Sequence, residues 1–142
     1  MGEKPIVDAH HVLRHCPRNR TIRDGKTVVG VHPRLFTLRT EINETYLSSS
    51  YIEFFDGTAQ QQIGAAARAM PLKIGKDDYF VKLNVGTMRA LGTKHKLAVK
   101  VTHVNSSKKN PAYAMIKGTP KDPSHEWIAA MADAVGSAVI KV

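Results

Sequence analysis

The chain reads as an α+β protein: a small, mostly antiparallel sheet packed by two main helices on one face, in a single domain. Three observations predict this. Tyr79 to Val85 and Lys96 to Val104 alternate apolar and polar residues with the period of half-buried strands. Thr58 to Met70 and Asp122 to Ala138 set apolar residues at helical spacing behind a start signal. The link between the two clear strands is short for a parallel crossover, so they are antiparallel if they pair. A chain of 142 residues, 42% of them hydrophobic, buries a core as one unit.

Taken in order, residues 1–8 are expected to be irregular. His10 to His15 forms a short helix or a strand, and Pro17 ends it either way. Asp24-Gly25 marks a turn, and β-branched Thr27 to Val31 follows as a strand. Leu35 to Leu38 is expected to be a second short strand. Tyr46 to Phe55 fits either a strand or one face of a helix. Thr58 and Gln61 have the spacing of a capping box, Ile63, Ala66, Ala67 and Met70 form the apolar stripe behind it, and Pro71 stops the helix. On the two strands, Tyr79, Val81, Leu83 and Val85 share one face, as do Leu97, Val99 and Val101. The outer face is expected to show Phe80, Lys82, Asn84, Lys96 and Lys100. In the last helix Asp122 caps, Pro123 takes the first turn, and Trp127, Ile128, Met131, Val135 and Ala138 face inward.

Charge is distributed unevenly. The formal net charge is +9. Residues 1–40 carry eight basic and three acidic side chains, and residues 73–121 carry eleven against Asp77 and Asp78. Between them, Glu41, Glu44, Glu53 and Asp56 stand in residues 41–60 without a base. A surplus of this sign draws polyanions, with RNA or single-stranded DNA the foremost class and an acidic protein partner the next. No apolar run approaches the length of a membrane span, and the start, MGEKPIVDAH, lacks the apolar core of a signal peptide, so a cytoplasmic protein with no membrane partner is expected. A lone cysteine, Cys16, excludes an internal disulfide and every multi-cysteine zinc signature.

The densest chemistry lies in His10 to Arg23, HHVLRHCPRNRTIR, with three of the seven histidines and four arginines. Arg14, Arg18, Arg20 and Arg23 would make one basic edge for phosphates, and Lys82, Lys96 and Lys100 another, with Phe80 as a stacking ring. Lys108 and Lys109, in the turn-rich NSSKKNP, are further phosphate contacts. The alternative is an enzyme. A metal-independent phosphodiesterase or transferase would use His11 and His15 for proton transfer, Arg14 to hold negative charge and Glu53 as a distant carboxylate. On a helix, His11 and His15 would also share a face with the spacing of metal ligands, but the arginines beside them repel a dication, so no metal is expected. The same arginines would lower the pKa of Cys16. His125-Glu126-Trp127-Ile128-Ala129 has Ala where a zinc-protease helix needs its second histidine. With no Walker loop and no dinucleotide glycine fingerprint, no cofactor is indicated.

Val12-Leu13-Arg14-His15-Cys16-Pro17 resembles the LRHxP segment near the start of RNA 2′-phosphotransferases, and Asp24-Gly25 falls roughly where that family has an acidic, glycine-bearing turn. The resemblance implies that Arg14 binds phosphate with His15 beside it. It covers a short stretch, and the family's downstream HGT and GHS motifs are missing. The order HVLRH, GVHPRLFTLR, YLSSSYIEFF, NPAYAMI is similar to a pattern in short bacterial proteins of unassigned activity. That likeness implies a cytoplasmic bacterial or mobile-element protein and no mechanism.

Overall fold

In a computed structural model describing residues 2–142, the chain is α+β. The strands are β1 (Glu3–Pro5), β2 (His11–Cys16), β3 (Thr21–Asp24), β4 (Thr27–Val31), β5 (Leu47–Tyr51), β6 (Tyr79–Asn84), β7 (Lys100–Val104), β8 (Tyr113–Lys117) and β9 (Val139–Ile140). The helices are α1 (Ala59–Ala69), α2 (Val85–Lys94) and α3 (Glu126–Val135). Seven strands form one sheet in the order β1-β7-β8-β5-β2-β6-β9, with every pair antiparallel, while β3 and β4 form a separate hairpin. The hairpin turns at Gly25, whose φ of 62° suits a residue without a side chain. No helix among the described residues is long and apolar enough to cross a membrane.

Period-two alternation along β2 and β6 sorts the core into two layers. Val12, Cys16, Val81 and Leu83 point to one side, where they join Phe36, Trp127, Ile128 and Met131. There the Trp127 ring meets Phe36 edge-on at 6.4 Å, and its indole N–H donates to the carbonyl of Met88 on α2 at 3.4 Å. Leu13 and Phe80 point to the other side and pack under Ala66 and Ala67 of α1 and Met70 just past its end. The two helices marked in the sequence therefore cover opposite faces of the sheet, not one face. Each face of β2 and β6 offers enough apolar surface to need a cover of its own.

The start of α1 follows the sequence closely: Thr58 Oγ1 accepts from the Gln61 N–H and Gln61 Oε1 from the Thr58 N–H. Elsewhere the local readings change. Residues 3–5, expected to be irregular, form an edge strand on β7. His10 to His15 resolves to a strand. Leu35 to Leu38 is no strand; Pro33–Phe36 makes a 3₁₀ turn in which the His32 ring accepts from the Arg34 N–H. Tyr46 to Phe55 divides into β5 and a 3₁₀ turn, Ile52–Phe54. The link between the two clear strands is α2, begun when Asn84 Oδ1 accepts from the Thr87 N–H at 2.9 Å. Those strands do not pair, and three others lie between them. At α3 the cap is His125, whose ring accepts from the Trp127 N–H, while Asp122 binds Ser124 in the preceding turn. Ala138 falls beyond the helix and is exposed.

Gly118 closes β8 at a φ of 77°, and a methyl group built there would overlap the carbonyl of Ala98. Gly118→Ala is expected to cost at least about 2 kcal/mol, from left-handed strain plus a clash with rigid backbone. A urea midpoint unchanged from the parent would show that this turn relaxes freely.

Candidate functional site

The ladder between β2 and β5 stops after two pairs, Val12 with Tyr51 and Leu13 with Ser50. Beyond Leu13 the strands part, and Arg14 fills the gap. Its Nε donates to the carbonyl of Leu35 at 2.9 Å and its Nη1 to that of Ser48 at 2.6 Å. Burial pushes this guanidinium down to about 10, with the charge of Glu44 acting in the opposite sense, so it remains a cation at neutral pH.

A cleft of about 410 Å³ opens at this gap. Arg14, Arg20, Arg34 and Arg39 all line it, with Glu44 as the one carboxylate. Glu44 accepts from the Arg39 N–H, Nε and Nη2, all within 3.2 Å. Among the described residues, the side chains of Arg20 and Arg34 have no such partner. The apolar part of the lining comes from Tyr113 on β8, buried Leu35, and Met70, Pro71 and Leu72 at the end of α1. Four guanidiniums converging from three stretches of chain make a strong local field for an anion.

His15 also lines the cleft. Its Nε2 lies 2.9 Å from Asp78 Oδ2, which in turn accepts from the Gly75 N–H at 2.8 Å. Burial raises the Asp78 carboxyl, but these hydrogen bonds outweigh it and hold the group below the usual carboxylate range. Beside the cleft, a shallow depression shares Pro17 and is edged by Arg18 and Arg23. Arg18 lies 3.6 Å from Asp77, and Arg23 sits over the ring of Tyr79 at 5.6 Å.

The structure thus gathers Arg14, Arg18, Arg20 and Arg23 around one region. It adds Arg34 and Arg39, which sequence reasoning left out. Both stand in the basic segment 1–40, but only the fold shows that the turn at residues 33–36 swings back onto β2.

The lysine edge does not assemble. Lys82 is exposed on β6, Lys100 on β7 lies four strand spacings away, about 19 Å, and Lys96 sits in the turn after α2 with a φ of 62°. Phe80 is 1% exposed beneath α1 and offers no ring to a ligand. Lys108 and Lys109 are exposed in the turn before Asn110, which does line the cleft.

The histidines divide as well. On a strand, His11 and His15 share a face but stand about 13 Å apart, and Arg14 points to the other side. The metal spacing expected of a helix is therefore absent. Among the described residues, no group of three His, Cys, Asp or Glu side chains is placed to hold an ion. His11 does meet Glu53: Nδ1 lies 2.7 Å from Oε2, and the His11 N–H donates to Oε1 at 2.8 Å. Cys16 is fully buried, and burial pushes its thiol up to about 11 despite Arg14, the reverse of the lowering expected from neighbouring arginines.

The Glu53 pair gives a pH test. Burial raises the Glu53 carboxyl, but the ring and backbone bonds from His11 prevail and leave it depressed. A depressed carboxyl stabilises the fold above its unfolded value, and that contribution is lost as pH falls through the folded value. Glu53→Gln is therefore expected to lower the urea midpoint at pH 6 and to show a smaller further loss by pH 3 than the parent. Parallel curves for the two proteins would remove the pair from the acid response. No family model, curated protein or solved structure matches the chain, and the functional reading rests on the cleft itself.

Proposed function

We propose that this protein is a nucleic-acid-binding module that takes the phosphate backbone into the arginine-lined cleft. One observation carries the reading: Arg14, Arg20, Arg34 and Arg39 converge on a single cleft against one carboxylate. Guanidinium is weakly hydrated and its planar fork matches two phosphate oxygens, so it suits this role better than ammonium. Arg20 and Arg34 supply the direct contacts, because Arg14 and Arg39 already donate within the fold. Arg18 and Arg23 continue the basic surface alongside.

Binding of this kind releases counterions, so affinity for a labelled single-stranded oligonucleotide should fall steeply with salt. Arg20→Ala and Arg34→Ala should each flatten the slope of log K against log salt by about 0.7. Flat salt dependence in the parent, or no binding in dilute salt, overturns the proposal.

A second reading has its own support. His15 lines the same cleft as Arg14 and is oriented by Asp78, which suits proton transfer beside a bound phosphate. Under this reading the protein cleaves or transfers at a phosphodiester without a metal. RNA incubated with chelator and the parent should then be cleaved, and His15→Ala should lose the activity. Equal turnover by both proteins, or none by either, removes this reading and leaves the binding module.

A further inference from the structure

We infer that the cleft takes an unstacked base together with its phosphate, and that Tyr113 is the surface on which the base stacks. The inference rests on the nucleic-acid reading above and narrows it to single strands held without sequence choice.

A phosphate chain alone leaves half of the lining unexplained. Guanidiniums account for Arg20 and Arg34, yet the same cleft presents the ring of Tyr113 together with Met70, Pro71 and Leu72. Leu72 is 45% exposed, an apolar side chain left open to solvent at the mouth. Phosphate gains nothing from such walls, whereas a base has an apolar face to place against them. The volume of about 410 Å³ lies in the range of small-ligand sites, about 300–1,000 Å³. A duplex keeps its bases stacked and offers only its backbone, so a single strand is the form that fills both halves of the cleft.

Tyr113 is held for this use. Its hydroxyl lies 3.0 Å from Ser48 Oγ, and the ring of Tyr46 stands nearly perpendicular to it at 6.5 Å. Burial pushes the phenol up to about 12, so the ring stays uncharged and does not repel phosphate. A ring fixed before the ligand arrives loses little entropy on binding.

The polar groups beside it are already committed. Asn110 donates from Nδ2 to Ser50 Oγ at 2.8 Å, and its Oδ1 accepts from the Ala112 N–H at 2.9 Å. Ser49 donates to the carbonyl of Ala114 at 3.2 Å. Asn110 and Ser49 are also buried, 1% and 5% exposed, so their remaining polar sites are out of reach of a base edge. Stacking without edge recognition tolerates every base.

The test compares the full chain binding a labelled oligothymidylate, an oligodeoxycytidylate of equal length, and an abasic strand of equal length and charge, at one salt concentration. The base-bearing strands should bind at least about fivefold more tightly than the abasic strand. The two base-bearing strands should agree within about threefold. Tyr113→Ala should bring the base-bearing strands down to the abasic value while leaving the salt slope intact, and Tyr113→Phe should keep the preference. Equal binding of abasic and base-bearing strands by the parent overturns the inference and needs no variant to be seen. A strong preference for one base overturns the claim that bases are not read. Failure of every strand to bind strikes at the nucleic-acid reading itself, a distinct outcome.

Discussion

Where β2 and β5 separate, two backbone carbonyls, those of Leu35 and Ser48, are answered by one side chain, Arg14. A buried carbonyl without a partner is costly, and an isolated buried cation is costlier still. At buried Leu35 the half-buried guanidinium and the carbonyl offset each other's penalty, while the second bond, to exposed Ser48, lies at the surface. The consequence reaches beyond the gap. Leu35 belongs to the turn that delivers Phe36 to Trp127, so the guanidinium ties the core on the α3 side to the edge of β5. It stands where the β2–β5 ladder ends, and the cleft opens at that interruption.

The alternation of β2 then decides which functions are possible beside that opening. Odd positions carry His11, Leu13 and His15 toward α1, and even positions carry Val12, Arg14 and Cys16 toward α3. Imidazoles adjacent to arginine in sequence are thereby set apart from it in space, except where the gap lets His15 and Arg14 border the same cleft. Each histidine acquires its own carboxylate, Glu53 or Asp78, from a different part of the chain. Cys16 goes into the core, where burial raises its thiol and keeps it protonated. A stretch that reads as one concentrated site is distributed by strand geometry over two faces and two ends.

Local signals were the legible part of the fold. The capping box at Thr58 and Gln61, the stops at Pro17 and Pro71, and the two-face pattern of Tyr79 to Leu83 depend on neighbours within a few residues, and all appear in the structure. What failed were properties set at a distance. Phe80 falls on the face opposite Val81, as its position in the alternation requires, but nothing nearby in sequence tells that α1 covers that face too. The helix α2 was hidden because Val85 prolongs the alternation of the strand, while Gly86 and Gly92 weaken any helical stripe; the capping contact from Asn84 decides the outcome. Arg14, Arg18, Arg20 and Arg23 could be suspected from their density. Arg34 and Arg39 could not, since their approach to β2 depends on the 3₁₀ turn that Pro33 begins.

Glu44 divides the labour among the four guanidiniums. It occupies the fork of Arg39 and lies near enough to Arg14 to favour that cation. Two arginines are thus held in place by the fold, and two, Arg20 and Arg34, line the cleft without a carboxylate partner among the described residues. A cleft with four unpartnered guanidiniums would suffer mutual repulsion, and each side chain would lose more freedom on binding. Under the proposed function, the field of all four would still draw a phosphate in with Glu44 present, because long-range attraction depends on net charge. The short-range contacts would then fall to Arg20 and Arg34, which have no carboxylate partner among the described residues. Attraction and contact would therefore be carried by different residues, and the carboxylate that lowers the charge of the cleft is the one that holds Arg39 against its lining.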